Sequence, residues 1–289
     1  VSRDLSKLIY SKSDSRKTPS DRVPKPIVRE NVVMAIRDAM EVSSAYKKAE
    51  GVLSAILVFV LSGGEKREKD FLRELIRQHE LHSLRVAFVS EKGQGLQPCQ
   101  MQTRWNEIRS SGAFKINSQT YHLDAADRVF LLSDVDEFYG QLKKIFKAHS
   151  DNKQAQWIVS NPCFEIWLYY CYLNNPAKDL KCLALEPVAT RSKKLKALGS
   201  TVVAGGMNPC KAFERMVAGI DNSRSHYNVD ENGLPVLYAT RMHDMAQYLV
   251  DTMNRNANEY SEYVRRKEEW RRIMKQAERP DSQKTSRML

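Results

Sequence analysis

Three short acidic stretches in this chain carry side chains with a definite chemical capacity. The first, Asp134-Val135-Asp136-Glu137, follows the apolar run 129–133. In an extended backbone Asp134 and Asp136 point the same way, so two hard oxygen donors converge. Mg²⁺ favours such sites, taking one or two carboxylates and filling the rest of its shell with water and substrate phosphate. The same residues also suit an acidic turn before a helix near Phe138, with Asp136 as N-cap. Spacing alone leaves both readings open. Ser62-Gly63-Gly64-Glu65-Lys66-Arg67-Glu68 offers a glycine turn with two carboxylates, and Ser160-Asn161-Pro162-Cys163-Phe164-Glu165 offers Asn161 and Glu165. Taken singly, each is explained by acidic groups at a helix N-terminus. Their shared position, just past a strand-length apolar run, joins them.

Those runs define the elements that must hold the carboxylates. Strands are predicted at 55–61, 84–89, 129–133 and 156–159. The first is continuously apolar, as for a strand buried on both faces. Between them, Phe71, Leu72, Leu75 and Ile76 fall on one helical face within 65–80, a helix fits 99–110, and Phe138, Leu142, Ile145 and Phe146 mark another. A further helix is predicted from 162 to about 173, with Pro162 in its first turn. Strands alternating with helices imply an α/β fold with an open, mainly parallel four-stranded sheet, whose ligands gather at the carboxyl ends of the strands. After Asn174 the pattern becomes mainly helical, with the basic run Arg191-Ser192-Lys193-Lys194-Leu195-Lys196 and a clear helix at 240–254. The expected division is a basic arm and leading helix over 1–50, an α/β domain over 51–180 and a helical region over 181–289.

The 289 residues hold 46 Lys and Arg against 35 Asp and Glu, a net charge of +11. Residues 1–29 carry +5 and residues 251–289 carry +3, so the 221 between them carry only +3. The acidic centre therefore lies in a nearly balanced region between basic ends, and a polyanion is the expected partner class. The segment 259–278 mixes charges at helical spacing and reads as a solvated terminal helix.

The order of elements, the Gly-Glu turn after the first strand, the DxD after the third and Ser-Asn-Pro-Cys-Phe-Glu-Ile-Trp-Leu (160–168) after the fourth resemble the RloB-like proteins, a branch of the Toprim superfamily. The resemblance covers roughly residues 55–250. It implies a Toprim-like sheet and Mg²⁺- or Mn²⁺-dependent phosphodiester chemistry on DNA or RNA, tRNA included, in bacterial anti-phage defence beside an ATPase partner. On that reading Asp134 and Asp136 hold the metal. Glu65, or failing that Glu68, acts as general acid/base or helps hold the ion, and Glu165 orients a ligand or water. Lys66, Arg67, Arg191, Lys193, Lys194 and Lys196 are candidate phosphate contacts, each with a solvated surface charge as the alternative. Two positions depart from the family pattern: Gly63 stands where a leading Glu is usual, and Cys171 where a His commonly follows. Either Glu65 takes the missing role, or the chain is a sensor or regulatory subunit that binds nucleic acid without cutting it.

The remaining features exclude more than they assign. Gly-Gly-Glu-Lys lacks the P-loop spacing, so any ATP use falls to a partner. The cysteines Cys99, Cys163, Cys171, Cys182 and Cys210 show neither a zinc spacing nor a disulfide framework. His79 and His82 lack a third ligand, and His243 in Thr240-Arg241-Met242-His243 suits capping or packing. Trp105, Trp157, Trp167 and Trp270 read as core or interface. No apolar run reaches the length of a membrane span, which leaves no membrane partner and a cytoplasmic location as expectations; a homo-oligomer is compatible with all of this.

Overall fold

The computed structural model describes residues 56–277, apart from 78–80, 82, 92–94, 117–118, 149–153 and 256–257. The N-terminal arm, the helix expected at 32–48, the His79/His82 pair and the tail after 277 lie outside the described residues.

In chain order, β1 (Ile56–Ser62) leads through α1 (Arg67–Phe71) and α2 (Arg73–Arg77) to β2 (Leu84–Val89). Next come α3 (Pro98–Ser111), the hairpin β3 (Ala113–Ile116) and β4 (Gln119–His122), β5 (Arg128–Asp134), α4 (Tyr139–Ala148) and β6 (Ala155–Ser160). The four long strands form one parallel sheet in the order β2-β1-β5-β6. Alternate residues of each strand enter different cores. Val58, Val60, Phe130, Leu132 and Ile158 pack with Phe71, Leu72, Leu75 and Trp167. On the opposite face Phe59, Leu61, Leu131, Trp157 and Val159 meet Met101, Trp105 and Leu142. Burial on both faces is why β1 reads as an unbroken apolar run.

Three expectations about elements change. The helix predicted over 65–80 is two short helices, because Leu72, with φ −89° and ψ 8°, interrupts it; Phe71, Leu72 and Leu75 nevertheless enter one core, as their shared face predicts. The hairpin β3–β4 stands where the apolar pattern predicts no strand. Its four-residue strands carry too little alternation to declare themselves, and packing of Phe114 edge-on to Phe59, 4.9 Å between ring centres, holds it to the sheet. The helix predicted from 162 begins at Glu165, since the preceding turn gives the Phe164 N–H to Asp134.

The following helices are α5 (Glu165–Tyr170), α6 (Pro176–Asp179), α7 (Cys182–Leu185), α8 (Val188–Val202), α9 (Pro209–Phe213), α10 (Met216–Ser225), α11 (Met242–Asn254) and α12 (Glu259–Ala277). They contribute Leu183, Leu195, Phe213, Met216, Leu249 and Tyr263 to the core that also holds Val58 and Phe130, so they cover one face of the sheet. Gly219 lets α10 approach α5 closely: a Cβ there would lie 2.8 Å from Cys171 Sγ and 2.9 Å from the Trp167 ring. No described helix is long and apolar enough to cross a membrane.

Candidate functional site

In the order β2-β1-β5-β6, the chain leaves β1 toward β2 on one side and later returns to pair β5 on the other. A crevice therefore opens at the carboxyl ends of β1 and β5, where open parallel sheets bind ligands. The turn after β1 is confined by backbone on both sides. Gly63 N–H donates to the Leu132 carbonyl at 2.8 Å, and Leu96 N–H to the Ser62 carbonyl at 3.0 Å. Gly95, at φ +70°, approaches Gly63 so closely that a Cβ would lie 1.9 Å from its carbonyl oxygen. At Gly64 a Cβ would lie 1.9 Å from Glu68 Oε1, so the missing side chain is the seat of the Glu68 carboxyl.

Glu68, in the first turn of α1, is only 8% exposed. Burial pushes its carboxyl up to about 7; a backbone hydrogen bond offsets part of the rise, and the charge of Glu165 adds to it. Asp134 closes β5, and its Oδ1 accepts the Phe164 N–H at 2.9 Å. Burial, and then the charges of Glu68, Glu165 and Asp136, hold its carboxyl well above the ordinary aspartate range. Glu165 opens α5 at 3% exposure, with Arg67 Nε 3.4 Å and Lys196 Nζ 3.9 Å from its Oε1. Burial opposes the Lys196 charge, but attraction to Glu165, Asp134 and Glu68 more than compensates, and its pKa is raised. Gly64, Glu68, Ser133, Asp134, Ser160 and Phe164 line a narrow cleft at this point. Two buried carboxylates, Glu68 and Glu165, and the half-buried Asp134 thus stand together just at or beyond the ends of three strands, faced by two cations.

This part of the molecule matches a known family. Residues 58–197 fit the family model described as RloB-like protein. Over this stretch the chain is similar to the RloB-like family. The match runs from β1 into α8 and includes Glu68, Asp134, Glu165 and Lys196. Comparison with curated proteins finds no match, and neither does comparison with solved structures.

Within the RloB-like region the expected residues separate. Glu68, Asp134, Glu165, Arg67 and Lys196 are brought together. Glu65 and Lys66 are exposed in the turn before α1, and the Gly64 seat is filled by Glu68. Asp136 does not continue the strand: β5 ends at Asp134, and Asp136 sits in the following turn. There its Oδ1 accepts the Glu137 N–H at 2.7 Å, and its Oδ2 accepts the hydroxyl of Ser192. The extended pairing of Asp134 and Asp136 is thereby replaced by a turn tied to α8. Asn161 faces away, with its Nδ2 donating to the Pro235 carbonyl at 2.7 Å. The basic run divides around α8: Arg191 Nε donates to the Glu186 carbonyl, Lys194 pairs with Glu186 at 3.5 Å, Lys193 is exposed, and Lys196 faces the carboxylates. Ser192 is a site residue the sequence reading passed over; its separation of four from Lys196, one face of a helix, is the available signal.

Thr240 and His243 support the rim. Thr240 Oγ1 and Ser160 Oγ share a buried hydrogen bond of 2.7 Å, and the Arg241 N–H donates to the Val159 carbonyl, which fastens α11 to the end of β6. His243 packs edge-on to Tyr227, 5.0 Å between ring centres, and burial lowers its pKa. Cys163, beneath the carboxylates, is kept protonated chiefly by burial and so is a poor ligand. Among the described residues no group of three His, Cys, Asp or Glu side chains is gathered at metal-ligating spacing. The chemistry of the donor set nevertheless fits a hard cation. Neighbouring carboxylates raise the pKa of Glu68 and Asp134, a crowding of negative charge that a divalent ion would neutralise, and Mg²⁺ needs only one or two of them.

Proposed function

We propose that this RloB-like protein is a metal-dependent, Toprim-type nuclease acting on DNA or RNA in bacterial anti-phage defence, with ATP use supplied by a partner. The observation that carries this reading is the convergence of buried Glu68 and Glu165 with half-buried Asp134 beyond the ends of β1, β6 and β5. Asp134 and Glu165 are the residues that would hold Mg²⁺ or Mn²⁺, and the ion supplies neutralisation and polarisation of a phosphate. Glu68, titrating at about 7, is suited to hold or release a proton near neutral pH and takes the acid/base role in place of exposed Glu65. Arg67 Nη1 is buried and has no hydrogen-bond partner among the described residues. That donor, with Lys196, is available to a phosphate oxygen.

The test is incubation of the purified protein with DNA, RNA and tRNA in Mg²⁺ or Mn²⁺. Cleavage should occur, and Asp134→Asn and Glu68→Gln should each lower it by at least about 10²-fold, the scale of a lost acid/base group. Cleavage unchanged in both variants would overturn the mechanism. A sensor without turnover is the second reading, favoured by the existing partners of the acids: Asp134 on the Phe164 N–H, Asp136 on Ser192, Glu165 on Arg67 and Lys196. It would show stoichiometric, salt-sensitive binding and no cleavage with any divalent ion.

A further inference from the structure

Away from the carboxylates, a groove of about 560 Å³ runs between α12 on one side and α2 and α9 on the other. Its volume suits a nucleoside-sized group. Trp270 of α12 borders it and is 61% exposed, unlike Trp105, Trp157 and Trp167, which are at most 3% exposed. An exposed aromatic ring beside a groove offers a face on which a base can stack. Cations surround it. Arg266 and Lys267 lie one helical turn before Trp270, and Arg271 follows it. Arg271 is fixed by a two-pronged pair with Glu214, the residue that caps the end of α9, one prong being 2.7 Å. Arg266 has no carboxylate partner among the described residues. On the far wall Cys210 lies near Arg73 and Arg77 and also near Asp70, which pairs with Arg73. The groove itself is lined by three cations, Arg266, Lys267 and Arg271, against two carboxylates, Glu74 and Glu214, a net positive lining that favours an anion.

We infer that the groove binds single-stranded nucleic acid, with one base stacked on Trp270 and the adjoining phosphates held by Arg266 and Lys267. The combination of an exposed ring and cations within one turn is the arrangement that reads unpaired bases without sequence preference. A duplex presents no free base face to the ring. An apolar peptide would not account for the cations. The groove wall follows the carboxylates closely in sequence: α1, which carries Arg67 and Glu68, is followed after Leu72 by α2, which places Glu74 in the groove. This inference rests on the nucleic-acid reading above and names where the substrate strand lies beyond the site.

The test uses the full chain with EDTA, fluorescein-labelled single-stranded DNA and RNA 12-mers, and the matching duplexes. Because the other three tryptophans are buried, quenching of tryptophan emission on oligonucleotide addition reports Trp270. Quenching should be seen with the single strands, and Trp270→Ala should weaken their binding by roughly tenfold while Trp270→Phe retains most of it. Arg266→Ala should reduce the slope of log affinity against log salt by about 0.7. Circular dichroism checks the fold of each variant. The inference is overturned if Trp270→Ala binds as the parent does, if no quenching occurs, or if the duplex competes equally. Loss of oligonucleotide binding in Asp134→Asn alone, or self-association abolished by Trp270→Ala with oligonucleotide binding unchanged, also overturns it. An absence of cleavage with Trp270-dependent binding intact sinks only the nuclease reading, whereas Asp134-dependent cleavage with Trp270→Ala binding unchanged sinks only this one.

Discussion

Glu68→Gln removes one proton site and keeps the side chain's shape, so its effect on stability can be worked out from the fold. In the folded protein the Glu68 carboxyl titrates at about 7 instead of 4.5, chiefly because it is buried. Between those values the folded chain keeps a proton that the unfolded chain releases. The folded state binds more protons there, so stability falls as pH rises through the window. At about 1.36 kcal/mol per pH unit, the rise from 4.5 to about 7 corresponds to a loss of roughly 3 kcal/mol. Below pH 4.5 the carboxyl is protonated in both states and resembles the amide. Above 7 it is ionised in both, and the full cost of a buried charge is felt. Glu68→Gln escapes that cost, and part of the gain comes through Asp134, whose carboxyl the Glu68 charge pushes up. Urea denaturation in EDTA should therefore give nearly equal stabilities at about pH 4.5 and a variant more stable by roughly 3 kcal/mol at about pH 8. The same difference at both pH values would refute the placement of Glu68 beside Asp134 and Glu165.

Gly64→Ala forces the same carboxyl from its seat, because the new Cβ would lie 1.9 Å from Oε1; denaturation across the same pH range should lose most of the parent's slope. Ser192→Ala removes the hydroxyl that Asp136 accepts and should cost roughly 1–3 kcal/mol in urea, the scale of a hydrogen bond to a charged group. Gly219→Ala drives a methyl into Trp167 and Cys171; overpacking of about 1–3 kcal/mol should outweigh the ~1 kcal/mol that alanine gains in a helix, lowering the midpoint of thermal unfolding.

The central strands β1 and β5 were legible because both their faces are buried and their runs are almost wholly apolar, and the edge strands β2 and β6 because each breaks its apolar run at only one inner position, Arg85 and Gln156. β2 spans Leu84–Val89, the expected range, and α11 and α12 match their periodic patterns within about two residues. The hairpin β3–β4 was not legible, since four-residue strands held by the contacts of Phe114 and Tyr121 with Phe59 leave no period to read. The acidic stretches were visible as composition, and all three lie on the expected rim. Their internal geometry was not: whether Asp136 continues a strand or turns toward Ser192 depends on α8, which is 56 residues away in the chain. Trp270 shows the same limit, because apolar type and helical spacing do not tell an interior face from one that borders an open groove.

Local pattern, then, was enough for a parallel α/β sheet with carboxylates at its carboxyl edge, because burial and alternation are properties of neighbours in sequence. Only the tertiary fold decided which carboxylates meet. It seated Glu68 on Gly64 in preference to Glu65, drew Lys196 and Arg67 to Glu165, and fastened Asp136 to α8. Desolvation and charge repulsion act through space over a few ångströms, so the pKa values that give this rim its chemistry exist only once distant segments have packed together.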